Sequence, residues 1–280
     1  MAGGRAVDLD AYFERIAWRG PLAPTAAVLA AVLQRHTYTI PFENIDPFLG
    51  HPVSLDLAHI ADKLIAGGRG GYCLEQNGLL AAALSAMGFE VTPLLARVDW
   101  MRPRASAPAR RSHLLLRVGY PGGDAIVDAG FSPLTPTAPL HLLTSSAQIT
   151  AHETFRLECR DEEWQLSVLG ARAWQALYRF ELTPATAAEC HAANAYASGD
   201  PDSTFTRQLI VCLARPGERL LLAGERLCAR GCDGRLRAVR RLGADEVVAC
   251  LSESFGIDTS RLDTVRLAQR LRGGEASASK

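Results

Sequence analysis

Apolar positions in the first third of the chain recur every three to four residues. Residues 9–16 and 25–33 carry helical stripes, with Thr25 standing where an N-cap belongs. Residues 54–65 form a third stripe, closed by Gly67 and Gly68. Leu80, Ala83, Leu84 and Met87 form a fourth, with Gly88 placed to stop it. Between the second and third stripes, residues 36–50 read as a loop carrying Pro41, Phe42 and Glu43. From about residue 91 the period drops to two. Residues 91–98, 113–118, 125–127, 154–159, 164–169 and 174–178 then read as short strands. Residues 185–206 read as connective, with a polar, turn-rich centre at 198–203. Strands follow at 209–213, 218–222, 225–230 and 236–239, then helices at 244–255 and 259–271. The tail 273–280 reads as disordered.

This order predicts an α+β fold in three segments. Residues 1–90 form a helical bundle, residues 91–200 a central antiparallel β-barrel-like sheet, and residues 201–280 a C-terminal α/β lid.

The fourth helix begins beside a cysteine. In Arg69-Gly70-Gly71-Tyr72-Cys73-Leu74-Glu75-Gln76-Asn77, the thiol of Cys73 falls at a helix N-terminus just after a glycine turn. The positive end of the helix dipole and its unsatisfied N–H groups favour the thiolate, which is the nucleophilic form. Gly70 and Gly71 let the backbone turn sharply and leave the sulfur uncovered. The competing reading of this stretch alone is a buried structural cysteine.

A second constellation tips the balance. The strand starting Ser112-His113-Leu114-Leu115, the turn 119–124 and the returning strand ending at Asp128 form a hairpin. Centred near Tyr120 and Pro121, it sets His113 almost directly opposite Asp128 on one face. A carboxylate on one imidazole nitrogen fixes the tautomer and frees the other nitrogen for the thiol proton. A solvent-facing polar pair is the alternative. A helix-start cysteine upstream favours a Cys73–His113–Asp128 triad.

These segments also resemble the arylamine N-acetyltransferase family. The resemblance is carried by Tyr38-Thr39-Ile40-Pro41-Phe42-Glu43-Asn44-Ile45, the 69–77 segment, Ser112-His113-Leu114-Leu115 and Val127-Asp128-Ala129-Gly130-Phe131, with weaker echoes at 12–16 and 196–198. It implies a papain-like Cys-His-Asp core carried by Cys73, His113 and Asp128. It further implies ping-pong transfer of acetyl from acetyl-CoA, through the cysteine, to an arylamine or hydrazine. Phe42, Phe131 and Phe205 match positions that line the aromatic acceptor pocket, and Glu43 with Arg69 matches a pair bracing the nucleophile turn. Acetyl-CoA is then a substrate entering near Ser112, Gly130 and Phe131, and no cofactor is held permanently. Arg230 aligns with a C-terminal histidine that contacts CoA in some bacterial members, and guanidinium suits a phosphate.

The family also contains amide synthases, which release a polyketide from an acyl carrier protein by attack of an aromatic amine. Ala129-Gly130-Phe131-Ser132-Pro133, where acetyltransferases usually read V-G-F-G, keeps that alternative open. A cysteine hydrolase and a catalytically dead binding module are weaker alternatives, the last opposed by three intact triad residue types.

Composition narrows the setting. Lysine plus arginine equals aspartate plus glutamate at 30 each, so no basic field points to nucleic acid. No run of about 18 apolar residues suggests a membrane span, and the N-terminus lacks the apolar stretch of a signal peptide. Seven cysteines, an odd number, with no C-x-x-C pair, read as free thiols in a reducing cytoplasm and argue against structural zinc. Arg102, Arg104, Arg110 and Arg111 precede His113 in a loop that reads either as solvated or as an attractor for a phosphorylated donor.

Overall fold

The computed structural model describes residues 7–102, 109–142, 145–232 and 234–278, with backbone alone for 274–278. The first helices are α1 (Leu9–Arg15) and α2 (Ala26–Thr39). The Asp8 carboxylate caps α1 by accepting from the Ala11 N–H at 3.0 Å, and the Thr25 hydroxyl caps α2 by accepting from Val28 at 3.3 Å. Next come β1 (Phe42–Glu43), α3 (Ile45–Leu49) and α4 (Leu57–Ala61), which runs into a π-helical turn at Asp62–Ala66. The cysteine helix is α5 (Cys73–Ala86).

Eight strands follow: β2 (Glu90–Val98), β3 (Arg111–Tyr120), β4 (Gly123–Val127), β5 (Leu140–His141), β6 (Gln148–Ile149), β7 (Thr154–Arg160), β8 (Glu163–Leu169) and β9 (Trp174–Phe180). They form one antiparallel sheet in the order β5-β4-β3-β2-β9-β8-β7-β6. The sheet curls until its outer strands meet. The Gln148 side chain of β6 donates to the His141 carbonyl of β5 at 2.9 Å and accepts from its N–H at 2.7 Å, so the barrel is nearly closed. Two helices, α6 (Ala187–Gly199) and α7 (Thr204–Arg207), lead to β10 (Ile210–Arg215), β11 (Glu218–Ala223), β12 (Arg226–Gly231) and β13 (Leu236–Arg241). The chain ends with α8 (Ala244–Glu253) and α9 (Thr264–Ala278).

Strand β3 sits between two cores. Leu116 and Val118 join Tyr12, Leu29, Leu33, Leu80 and Leu84 in a core shared with α1, α2 and α5. Leu115 points the other way, among Leu94, Ile126, Phe155, Leu166 and Tyr178 inside the curled sheet. A strand buried on both faces reads as a continuous apolar run, hence Leu114-Leu115-Leu116. A third core packs α3, α8 and α9 on the β10–β13 sheet through Ile45, Val211, Leu222, Val247 and Leu267.

Several expectations change. Residues 36–50 are not a loop. His36 to Thr39 complete α2, and Phe42–Glu43 is the edge strand of the C-terminal sheet, with Phe42 opposite Cys212 and Glu43 opposite Val211. The stretch 185–206 is mostly helical. Thr186 and Glu189 cap α6 reciprocally, the Thr186 N–H donating to Glu189 at 2.9 Å and the Glu189 N–H to Thr186 at 3.2 Å. Helix α9 continues through residues 273–278, while Ser279 and Lys280 lie outside the described residues. Arg111 belongs to β3, and Arg104 lies outside the described residues.

The β3–β4 register also differs from the expected one. Tyr120 pairs with Gly123 and Leu116 with Val127, so Pro121 and Gly122 alone form the loop. Gly122 holds φ at +114°, a conformation that favours glycine. Continuing that register sets Asp128 level with Leu115. His113 lies one same-face position further along, diagonal to Asp128 rather than opposite it.

Candidate active site

The cysteine turn is built on close backbone approach. A Cβ at Gly70 would overlap the Pro41 carbonyl, and neither Gly70 nor Gly71 takes a positive φ. Their role is therefore to let β1 come against the turn, where the Glu43 N–H donates to the Gly71 carbonyl at 3.1 Å. A Cβ at Gly130 would collide with the Cys73 Cα, so the segment after Asp128 lies directly on Cys73. Cys73 is consequently 4% exposed, and the uncovered sulfur expected from the glycine turn is instead enclosed. Its Sγ donates to the Ser112 carbonyl at 3.9 Å.

His113 and Asp128 meet in the interior. His113 Nε2 is 2.7 Å from Asp128 Oδ2, which leaves Nδ1 as the other ring nitrogen. Burial opposes charge on His113. The Asp128 carboxylate, its hydrogen bond and the Cys73 thiol outweigh that and raise the imidazole pKa to about 10. Burial likewise works to raise Asp128. The imidazole beside it and hydrogen bonds from His113, Asn77 and Gly130 hold the carboxyl below its usual range instead. Four donors converge on the two carboxylate oxygens. Oδ2 accepts from His113 and, at 3.0 Å, from the Tyr178 hydroxyl; Oδ1 accepts from Asn77 Nδ2 at 3.0 Å and the Gly130 N–H at 2.8 Å.

Beneath the turn lies a buried charge cluster. Arg69 donates from Nε and Nη2 to Glu43 Oε1 at 3.1 and 2.7 Å, and from Nη1 to Asp46 at 2.9 Å. Lys63 reaches Asp46 and Glu75, each at 2.7 Å. Glu75 also accepts from the Tyr72 N–H at 3.1 Å, which caps α5. Burial and the nearby Glu43 outweigh Lys63 and push the Glu75 carboxyl up to about 7.

Aromatic rings surround Cys73 and His113. Phe205 packs against Phe42 at 5.8 Å and Tyr72 at 5.7 Å between ring centroids. Phe131 packs edge-on against His113 at 5.1 Å and against Tyr178 at 5.0 Å. Ser112 and Gly130 border Cys73 directly. Arg230 is exposed on β12, across from Arg219 of β11 and Leu236 of β13. Among the described residues, none of the hydrogen bonds around Cys73, His113 and Asp128 involves it.

A family model described as N-acetyltransferase matches residues 25–264. An arylamine N-acetyltransferase of Mycobacterium bovis is 41% identical over 259 residues, 91% of each chain. The chain belongs to the arylamine N-acetyltransferase family. It is thus an enzyme of the acyltransferase class. The structure of the arylamine N-acetyltransferase from Mycobacterium tuberculosis matches with a TM-score of 0.90 at 39% identity, covering 94% of this chain and 99% of that one. That of the Mycobacterium marinum arylamine N-acetyltransferase in complex with CoA matches with a TM-score of 0.91 at 36% identity, covering 94% and 98%.

Sequence reasoning left several residues of this arylamine N-acetyltransferase site without a role. Asn77, one helical turn after Cys73, ties α5 to both strands of the hairpin: it donates to the Leu114 carbonyl at 2.7 Å and accepts from the Ala129 N–H at 2.8 Å. Its spacing from Cys73 was the available signal. Tyr178 carried none. Gln76 donates to the Pro41 carbonyl at 2.7 Å and accepts from His36 Nε2 at 2.7 Å, while His36 Nδ1 pairs with the Tyr12 hydroxyl at 2.9 Å. Burial lowers the His36 pKa to about 4, so this relay is neutral.

Proposed function

We propose that this enzyme moves an acetyl group from acetyl-CoA to the nitrogen of an arylamine or hydrazine through a thioester on Cys73. In the first half-reaction the Cys73 sulfur attacks the thioester carbonyl, and its proton resides on His113. The carbon–sulfur bond to CoA breaks, and His113 returns the proton to the departing CoA thiolate. In the second, the amine lone pair attacks the acetyl-Cys73 carbonyl. His113 takes one amine proton, and the bond to Cys73 breaks to leave the amide. Asp128 holds the imidazole with Nε2–H turned toward itself, so that Nδ1 serves the sulfur. Phe42, Phe131 and Phe205 receive the aryl ring. Ser112 and Gly130 border the donor, with Arg230 assigned to its phosphates, and Glu43 with Arg69 keeps the turn in place.

The observation that carries this reading is the buried line Cys73–His113–Asp128, with 2.7 Å between the imidazole and the carboxylate, in a member of this family. The M. marinum relative solved with CoA supports the donor. Intact-mass measurement after incubation with acetyl-CoA should find one acetyl group, mapped by peptide digestion to Cys73 and discharged by a simple aniline. Transfer that persists in Cys73→Ala, or acetylation at another residue, overturns the mechanism.

A further inference from the structure

A cavity of about 960 Å³ opens between α7, α9 and the end of the C-terminal sheet where β11 turns into β12. Its size suits a small ligand. Cys73, His113 and Asp128 are not among its described lining residues. Phe48, Val239 and Leu271 form an apolar floor, and Val239 is 45% exposed there. Arg207, Arg226, Arg241 and Arg270 stand around that floor, all of them exposed.

Glu225 is the one acidic side chain among the described lining residues. Arg226 and Arg241 face each other directly across β12 and β13. Like charges in that position repel. Glu225, 3.6 Å from Arg241, offsets part of this, and among the described residues Arg226 has no acidic partner. The Arg270 guanidinium lies over the Phe48 ring, 5.0 Å from its centroid, which fixes a cation above the apolar floor. An anion relieves the crowded charge, and an alkyl chain covers Phe48, Val239 and Leu271. A molecule carrying both uses the whole cavity.

We propose that this cavity binds a single-chain carboxylate of the fatty-acid type, and that its occupancy is felt at Phe205 through α7. Arg270 Nη2 donates to the Thr206 carbonyl at 2.8 Å, and Asn44 Nδ2 donates to the carbonyls of Phe205 and Gln208, each at 2.8 Å. Helix α7 is thus held from both sides. A bound carboxylate competes with the Thr206 carbonyl for Arg270, and a charged acceptor is the stronger of the two. Phe205 immediately precedes Thr206 and packs on Phe42 and Tyr72. Loosening α7 therefore loosens the aromatic wall beside Cys73. Arg230, assigned to the phosphates of the donor, stands toward the other end of β12, so donor and carboxylate are tested apart.

Calorimetry with decanoate, kept below its micelle concentration, should show one site per chain. The double variant Arg226→Gln, Arg241→Gln should bind it about tenfold more weakly or worse, the effect of losing charge-assisted bonds. Decanol, with the same chain and no charge, should bind the wild type as weakly. The variant should melt no lower than wild type, because it removes a repulsion, so lost binding is not lost fold. Saturating decanoate should raise the aniline concentration needed for half-maximal discharge of acetyl-Cys73 in the wild type and leave it unchanged in the variant. Equal decanoate binding by the variant, or several decanoates per chain, overturns the site. A rise in the aniline requirement that persists in the variant also overturns it, since decanoate then occupies the acceptor pocket. Displacement of decanoate by CoA assigns the arginines to the donor and overturns it as well. Binding with no change in discharge refutes the link through α7. The calorimetry needs no acetyl-enzyme, so its result stands apart from that of the transfer mechanism.

Discussion

Replacing Asp128 by asparagine changes one atom and leaves the shape. The two carboxylate oxygens accept from four donors: His113 and Tyr178 on one side, Asn77 and the Gly130 N–H on the other. An amide has one accepting end. Whichever way it turns, its NH2 faces two donors. Turned toward Gly130 and Asn77, it leaves a buried backbone N–H unmatched, at about 1–3 kcal/mol. Turned toward His113 and Tyr178, it forces Nε2 to become the acceptor. The ring proton then sits on Nδ1, the nitrogen that must accept from the thiol.

The charge is lost as well. Raising the His113 pKa from 6.5 to about 10 corresponds to at most roughly 5 kcal/mol of preference for the imidazolium. Without the carboxylate, burial leaves the ring neutral at pH 7. Asp128→Asn should therefore slow single-turnover acetylation of Cys73 by about 10⁴-fold, the scale seen for the equivalent change in serine triads. Mass spectrometry of the acetyl-enzyme reads the rate. The stabilisation tied to a raised imidazole pKa is fully present below pH 6.5 and disappears as pH rises through about 10. The Tm gap between wild type and variant should accordingly narrow toward pH 10. A variant that folds normally and acetylates within tenfold of wild type would refute both the tautomer and the charge reasoning.

Arg69→Ala removes both hydrogen bonds that the fully buried Glu43 accepts from the guanidinium, leaving it only Lys63 at 3.8 Å, while Asp46 keeps Lys63 at 2.7 Å. Breaking one side of such a pair costs roughly 3–5 kcal/mol, so the denaturant midpoint should fall clearly, and an unchanged midpoint would show the brace to be dispensable. Gly130→Ala drives a methyl into the Cys73 backbone, and about 1–3 kcal/mol of strain should appear together with loss of acetylation. Retained acetylation would mean the segment moves aside freely. Glu75, raised from 4.5 to about 7, binds its proton more tightly in the folded state. Stability should therefore fall as pH rises from 4.5 through 7, and Glu75→Gln should flatten that slope in melts across the range.

The parts legible in the sequence were those whose signal is local. Helices α2 and α5 announce themselves by spacing of apolar residues, and the β3–β4 hairpin by alternation around Pro121 and Gly122. Its register differs from the expected one because a two-residue loop displaces every pair from the expected centre. Strand β1 was invisible because two residues between a helix and Asn44 become a strand only by meeting β10. Helix α6 had a readable start, with Thr186 three residues before Glu189, but its mixed Ala, Cys, His and Asn content hides an apolar stripe. The Tyr178 hydroxyl reaches Asp128 through the pairing of β9 with β2, which no local pattern encodes.

The pairing of Phe42 with Cys212 also orders events during synthesis. Chains leave the ribosome from the N-terminus, and their segments fold as partners become available. Helices α1, α2 and α5 and the hairpin can assemble early, bringing Cys73, His113 and Asp128 into reach of one another. The aromatic wall at Phe42 cannot be pinned until β10 has emerged, and Asn44 waits for the N–H of Ile210, to which it is bound at 2.6 Å. A nascent chain can therefore bring Cys73, His113 and Asp128 together before the wall at Phe42 is fixed against β10.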